Sequence, residues 1–138
     1  MTTMGISIDL QSALKRLRLG QMLDTLSERI SMAERDDMPF QDLLLALLTD
    51  EISRRESSAT ARRAHDAGIA ADMVFERWDK NAKITYDKRV LQELTSLRFI
   101  KTNRNVVVIG PVGVGKTFVA CALGHLACKA GFKVHFER

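Results

Sequence analysis

The stretch GPVGVGKT, residues 110–117, has the most informative spacing in the chain. Its glycines and its final Lys-Thr pair fit the pattern G-x-x-x-x-G-K-[ST]. Glycines let backbone N–H groups approach an anion without a Cβ in the way, while the lysine places its charge on phosphates and the threonine hydroxyl can ligate Mg²⁺. The stretch is therefore predicted to bind the phosphates of a nucleotide. The predicted binding residues are Gly110, Pro111, Val112, Gly113, Val114, Gly115, Lys116 and Thr117, with Thr117 also the predicted Mg²⁺ ligand.

The segments on either side of this loop predict an α/β fold. Residues 105–109 (NVVVI) form a β-branched apolar run, which is typical of a strand buried on both faces of a parallel sheet. Residues 117–130 are rich in helix formers and are followed by Gly131, a helix-ending residue. Residues 133–136 (KVHF) are predicted to begin a second strand. The order strand, phosphate loop, helix, strand is the start of a parallel-sheet nucleotide-binding domain.

The first part of the chain is predicted to be helical. Between residues 8 and 32 the large apolar residues recur every three or four positions, the period of an amphipathic helix. Gly20 interrupts this segment and predicts a break in it. A second helix is predicted over residues 40–67, with Gly68 as its stop. The fold class is therefore a helical N-terminal region followed by an α/β domain.

Four arginines lie in the second half of that long helix, where large apolar residues are scarce. They are Arg54, Arg55, Arg62 and Arg63. Because Arg55 and Arg62 are seven residues apart, they share roughly one helix face, which suits contact with phosphates. The alternative is a solvated helix end in which Asp50 and Glu51 pair with Arg54 and Arg55. The sequence leaves both interpretations open.

Composition and charge narrow the class of protein. The chain has 138 residues, 46% hydrophobic and 28% charged, as in an ordinary soluble globular protein. Its longest apolar run has six residues (LLLALL), far short of a membrane span, and the N-terminus has no apolar core of signal-peptide length, so a cytoplasmic location without membrane contact is expected. The net charge of +4 is uneven: residues 73–138 carry twelve Lys/Arg against five Asp/Glu. A basic excess of this size favours an anionic partner.

The two cysteines, Cys121 and Cys128, are expected to be buried or incidental thiols. Seven residues of helix separate them by about 10.5 Å, which is beyond the reach of a disulfide. The three histidines are scattered and no C-x-x-C pair is present, so the sequence does not predict a zinc site.

The stretch NVVVIGPVGVGKTFVACALGHLACKAGFKVHF resembles the IstB-type transposition helper ATPases of bacterial insertion sequences, which are AAA+ proteins related to the helicase loader DnaC. The resemblance extends upstream through FERWDKNAKITYDKRVLQELTSLRFIKTNRN, which is similar to the family's linker. It also covers LKRLRLGQMLDTLSERI and FQDLLLALLTDEISRRE, which are similar to its N-terminal helices. Nearly the whole chain is thus covered.

The resemblance implies ATP and Mg²⁺ binding at residues 110–117, sequence-independent DNA binding, ATP-dependent self-assembly of the full-length protein, and cooperation with a transposase. It also implies three parts: a helical DNA- or partner-binding region (1–68), a linker with a short helix (69–104), and an AAA+ ATP-binding domain with its Walker A loop (105–138). The linker also carries a group of basic residues that either contact DNA or form a solvated face: Lys80, Lys83, Lys88 and Arg89. The linker aromatics Phe75, Trp78 and Tyr86 are expected to pack against the sheet edge or the next helix, with stacking of Trp78 on the adenine as the alternative.

The chain departs from the family pattern after residue 136. Walker B, sensor and arginine-finger segments are expected later in such proteins, and Glu137 is the only carboxylate side chain after Lys116. No catalytic residue is therefore assigned, and the 138-residue chain is expected to be a fragment that hydrolyses little ATP alone. Two other functions stay open: a DnaC-like helicase loader, and a non-catalytic remnant that binds DNA or a partner.

Overall fold

Six α-helices and two short 3-10 turns form the regular structure of residues 5–138, the part of the chain that the computed structural model describes. The helices are α1 (Ile8–Arg16), α2 (Leu23–Arg35), α3 (Phe40–Asp66), α4 (Lys88–Thr95), α5 (Arg98–Lys101) and α6 (Lys116–Lys129). The 3-10 turns are Gly20–Met22 and Phe75–Arg77. None of the helices within these residues is long and apolar enough to cross a membrane.

The predicted helices and their stops are confirmed. The first segment breaks before Gly20: α1 ends at Arg16, and Arg18 takes a left-handed conformation with φ 58°. The long helix ends at Asp66, and Gly68 follows it with φ 72°. Gly131, at φ 91°, comes directly after the last turn of α6. Glycine fits such positions because a Cβ is strained at positive φ.

The chain divides into two compact units, the first ending at Glu56 and the second running from Ser57 to Arg138. The first unit has its own hydrophobic core, in which Met22, Leu26 and Leu47 are buried. The partly buried residues around them are Ile6, Leu14, Leu19, Leu23, Ile30 and Leu43. The amphipathic faces of α1, α2 and the first half of α3 therefore bury their apolar side chains against one another.

A buried carboxylate on α3 organises the polar contacts of the first unit. The Glu51 side chain is only 5% exposed and accepts hydrogen bonds from Arg54 (2.8 and 2.9 Å) and from Arg55 Nε (2.6 Å). Arg55 Nη2 also donates to the carbonyl oxygen of Arg18 (2.9 Å), just past the end of α1. The hydrogen bonds from Arg54, and then those from Arg55, lower the pKa of Glu51 from 4.5 to about 2, although burial opposes them. Glu51 thus ties α3 to the end of α1 through a charge-assisted network.

A second ion pair joins α2 to α3. Arg29 donates from Nε and Nη2 to the two carboxylate oxygens of Asp50, at 2.7 Å each. This two-point contact lowers the pKa of Asp50, chiefly through the hydrogen bonds from Arg29. Asp50 is therefore engaged with α2, and Glu51 is the carboxylate that pairs with both Arg54 and Arg55.

The second unit is built around α6, whose buried face consists mostly of small residues. Cys121 and Cys128 are 1% and 0% exposed, and burial raises the pKa of both thiols, which are unpaired. They pack with Ala64, Ala67 and Ile69, while Met73, Val134 and Phe136 close the cluster. A Cβ on Gly124 would lie 2.8 Å from Ile69 Cδ1, so the glycine leaves room for the end of the Ile69 side chain against α6.

The two predicted strands are not formed, and this part of the fold-class prediction is corrected. Among residues 5–138 no β-strand is present; residues 105–109 and 133–136 are extended chain without a ladder. Val107 and Ile109 are 79% and 89% exposed, whereas a strand inside a parallel sheet buries both faces. Phe136 instead donates its N–H to the carbonyl of Ala67 (3.0 Å). A β-branched run favours extended backbone, but a strand also requires hydrogen bonds from a neighbouring strand.

The low pKa of Glu51 predicts how the stability of the first unit depends on pH. Because the pKa is lower in the folded chain (about 2) than its ordinary value of 4.5, ionised Glu51 stabilises the fold fully above about pH 4.5. This contribution is lost as the pH falls toward 2. We expect Glu51→Gln to lower the free energy of unfolding at pH 7, and the difference from the unsubstituted chain to shrink between pH 4.5 and 2.

Urea unfolding followed by circular dichroism at pH 7, 5, 4 and 3 measures this difference. Glu34→Gln is the matched control: Glu34 is exposed, and no ion pair is formed by its carboxylate in the described part of the chain. A Glu51→Gln difference that stayed constant down to pH 3 would contradict the assigned network.

Candidate nucleotide-binding site

The predicted phosphate loop has the backbone conformation that its glycines permit. Gly113 and Gly115 lie at φ 83° and 91°, in the left-handed region where residues with a side chain are strained. Gly115 is the residue immediately before α6, and no side chain caps the helix there. The first N–H groups of a helix have no acceptor within the helix, and its N-terminus carries partial positive charge. The loop therefore leads directly into a helix end suited to an anion.

The two loop side chains that are predicted to bind the nucleotide and Mg²⁺, Lys116 and Thr117, are the first two residues of α6. Lys116 is partly buried, and its ammonium donates to the carbonyl oxygens of Gly110 (2.7 Å) and Pro111 (2.5 Å). Thr117 is exposed on the same first turn. The side chain of Lys116 thus folds back over the loop and holds its first two residues. An anion bound here would compete with these carbonyls for the same N–H donors.

An aromatic cluster lies beside the loop. The ring of Trp78 packs against Phe75 (6.0 Å between centroids, stacked), against Tyr86 (5.5 Å, edge-on) and against Phe118 (5.7 Å, edge-on). The linker aromatics thus pack against one another, and Trp78 also packs against Phe118 of α6. Phe118, on the first turn of α6, was not among the predicted residues, although its place directly after Lys-Thr fixes it next to the loop.

Two residues of this cluster, Trp78 and Phe118, also line a cavity of about 230 Å³ at the loop. Its walls are formed by Arg77, Trp78, Asp79, Ala82, Ile84, Gly113, Val114, Gly115 and Phe118. Both positive-φ glycines thus face a space that is bounded on another side by the linker. The cavity combines apolar aromatic surface with two charged side chains, a combination that suits a heteroaromatic ring with polar edges.

The four arginines predicted to contact DNA have different surroundings. Arg54 and Arg55 are held by Glu51, and their side chains are 41% and 53% exposed. Arg62 is 85% exposed and lies 3.9 Å from the carboxylate of Asp66. Arg63 donates from Nε to the carbonyl oxygen of Cys128 (2.7 Å), so it joins the end of α3 to the end of α6. Of the four, Arg62 is the one least engaged by the protein.

Glu137, the only carboxylate side chain after Lys116, has no functional role assigned to it. Its carboxylate lies 2.9 Å from Nε2 of His135, and both side chains are largely exposed. Among residues 5–138, no group of three or more histidine, cysteine or acidic side chains is arranged to hold a metal ion. A bound Mg²⁺ would therefore have to take most of its ligands from the nucleotide and from water, as is usual for this ion.

Comparison with known proteins identifies the relatives of this chain. The sequence profile of the family described as "IstB-like ATP binding protein" matches residues 12–138. A protein of Mycobacterium tuberculosis, named as an ATP-binding protein in an insertion sequence, is 40% identical over 129 residues, covering 94% of this chain and 51% of its own length. Similarly named proteins of Pseudomonas fluorescens and Sinorhizobium fredii are 34% and 31% identical, covering 92% and 91% of this chain and 55% and 50% of their own lengths.

The chain thus spans about half the length of the curated relatives that it matches. The profile match includes the phosphate loop, the aromatic linker and nearly all of the N-terminal helices. The chain belongs to the family of IstB-like ATP-binding proteins of insertion sequences.

Proposed function

We propose that this chain binds ATP with Mg²⁺ at residues 110–117 and serves as a helper in DNA transposition, binding DNA without sequence preference and cooperating with a transposase. The observation that carries the proposal is the loop itself: two positive-φ glycines, a lysine and a threonine at the start of α6, beside an aromatic-lined cavity. The insertion-sequence names of the relatives support the transposition role.

Each loop residue has a role in this proposal. Lys116 exchanges the carbonyls of Gly110 and Pro111 for phosphate oxygens, so its charge is already held at the loop before the nucleotide arrives. The Thr117 hydroxyl would hold Mg²⁺ as one of its ligands, and the ion would supply positive charge that offsets the charge of the phosphates. The backbone N–H groups of the loop and of the first turn of α6 donate to the remaining oxygens.

The cavity beside the loop is proposed to take the adenine. Trp78 and Phe118 offer aromatic surface, while Arg77 and Asp79 offer polar groups for the ring edge. Packing and base contact are compatible for Trp78, because its ring touches three aromatic neighbours and also lines the cavity.

The wider assignments are proposals of the same kind. Residues 1–68 would bind DNA or a partner, residues 69–104 would link them to the nucleotide site, and residues 105–138 would bind ATP, with assembly into oligomers depending on that ATP. The helicase-loader alternative shares the nucleotide loop, but the insertion-sequence names of the relatives favour transposition.

Nucleotide affinity is expected to depend on Lys116. Because a hydrogen bond to a charged group contributes about 1.5 to 3 kcal/mol, Lys116→Ala should weaken MgATP binding by roughly 10- to 100-fold. Trp78 is the only tryptophan of the sequence and lines the cavity, so its fluorescence in a MgATP titration gives the affinity without a label. Lys129→Ala, at the other end of α6, is the control and should bind normally. Equal affinities for the two variants, checked by calorimetry, would refute the assignment of the loop.

The loop backbone should tolerate a side chain poorly at Gly115. With φ 91°, an alanine there would be strained by about 1 to 2 kcal/mol and would place a methyl group at the start of α6, where phosphates are proposed to bind. We expect Gly115→Ala to weaken MgATP binding at least tenfold. Gly20→Ala, at a position without positive φ, serves as the control and should leave the affinity unchanged. Normal MgATP binding by Gly115→Ala would mean that the phosphates do not approach this helix end.

A further inference from the structure

Most of the net positive charge of the second unit lies in one stretch of the chain. Between Arg77 and Arg104 there are eight basic residues and three acidic ones. The basic residues are Arg77, Lys80, Lys83, Lys88, Arg89, Arg98, Lys101 and Arg104, and all of them are exposed. Arg77 lines the nucleotide cavity, and the other seven lie outside that cavity.

These cations are not neutralised by the protein. Within residues 5–138, no carboxylate lies within 4.0 Å of any of their charged nitrogens, whereas Arg29, Arg54 and Arg55 of the first unit all form close ion pairs. Two of the three acidic residues in the stretch accept hydrogen bonds from backbone N–H groups. Asp79 accepts from the N–H of Asn81 (2.9 Å), and Asp87 caps α4 by accepting from the N–H groups of Arg89 and Val90 (2.8 and 3.3 Å).

The fold brings the last part of this stretch to one place. α5 is a single turn, so Arg98 and Lys101 are neighbours three residues apart. Asn103 then takes a left-handed conformation (φ 53°), and the N–H of Arg104 returns to the carbonyl of Phe99 (2.8 Å). This helix-ending turn reverses the chain.

As a result of this turn, Arg98 and Arg104 line a single cavity of about 350 Å³. Thr102 and Asn105 also line it and add polar groups, and Glu93 is the one acidic residue in its wall. The apolar residues Phe99 and Ile100 of α5 are partly buried, which leaves the basic side chains of this turn exposed.

We propose that the turn formed by α5 and residues 102–104, with Arg98, Lys101 and Arg104, grips the phosphate backbone of duplex DNA, supported by the basic residues of α4. The proposal rests on the proposed DNA-binding function and names the surface that performs it. Guanidinium groups bind phosphate oxygens at two points, and unpaired cations give up only water and counterions when they bind. No base-reading motif accompanies them, so the contact is independent of sequence.

The test is a salt titration of DNA binding by the full chain. Fluorescence anisotropy of a labelled duplex of about 30 base pairs is measured at several KCl concentrations for the unsubstituted chain and for the triple variant Arg98→Ala, Lys101→Ala, Arg104→Ala. Each phosphate contact contributes about 0.9 to the slope of log affinity against log salt. We therefore expect the slope of the triple variant to be smaller by about 2 to 3, with MgATP affinity unchanged.

A charge-matched control separates this surface from general basicity. The variant Lys129→Ala, Lys133→Ala, Arg138→Ala removes three exposed cations that lie outside both the turn and residues 1–68, and it should change the slope by less than about 1. If the triple variant does not fold, as judged by circular dichroism, the single change Lys101→Glu replaces it, since no side-chain hydrogen bond or ion pair of Lys101 is present in the described residues; it should lower the slope by about 1.

Three outcomes would overturn the proposal. Equal slopes for the unsubstituted chain and the triple variant, or for the triple variant and its control, would show that this surface does not bind DNA. The proposed DNA binding by the chain would not be affected by that result. If the unsubstituted chain showed no detectable binding to the duplex at low salt, both the assignment of this surface and the proposed DNA-binding function would be wrong. A slope difference that appears with single-stranded RNA and not with the duplex would assign the surface to another partner.

Discussion

The close packing of α6 against Ile69 is the constraint on which the proposed nucleotide site depends. Cys121 and Cys128 are small enough for Ile69 to reach the helix, and Gly124 leaves no Cβ in its way. Because α6 begins with Lys116, this packing fixes the direction of the helix axis and the position of the loop that precedes it. A larger residue in this face would push the helix outward and move the loop with it. The two buried thiols therefore support the site.

The sequence predicted the elements whose causes are local. Glycines at 68, 113, 115 and 131 all occupy positive-φ positions, and the breaks and ends of the helices follow from them and from the apolar period. The prediction of the strands was wrong because strand formation does not depend on local sequence alone. Residues 105–109 have the composition of a strand, but a strand must pair with a partner segment. Ile109 is 89% exposed. Composition gives a preference for extended backbone, and hydrogen bonds from a neighbouring strand turn that preference into a sheet.

The candidate sites divide in the same way. The loop residues could be predicted from spacing, and so could the contacts of Glu51 with Arg54 and Arg55, at three and four residues. Contacts between distant segments could not: Asp50 is joined to Arg29 across 21 residues, and Arg63 reaches the carbonyl of Cys128 across 65. These long-range bonds decide how far each arginine is already engaged within the protein, which a count of basic residues on α3 does not show.

Charge is distributed differently in the two units. Residues 5–56 hold seven Lys/Arg against ten Asp/Glu. Several of those basic side chains form ion pairs within the unit. Removing Arg54 or Arg55 would therefore leave the buried carboxylate of Glu51 with one ion-pair partner fewer. Residues 57–138 hold fourteen against seven, and the basic residues of α4 and α5 have no carboxylate within ion-pair distance among the described residues. Unpaired like charges repel one another and weaken the compact state.

Both proposed anions, the nucleotide and the DNA backbone, would relieve that repulsion, so binding of each is expected to stabilise the second unit by mass action. The first unit has no such excess to relieve, and its stability rests on contacts that it already contains.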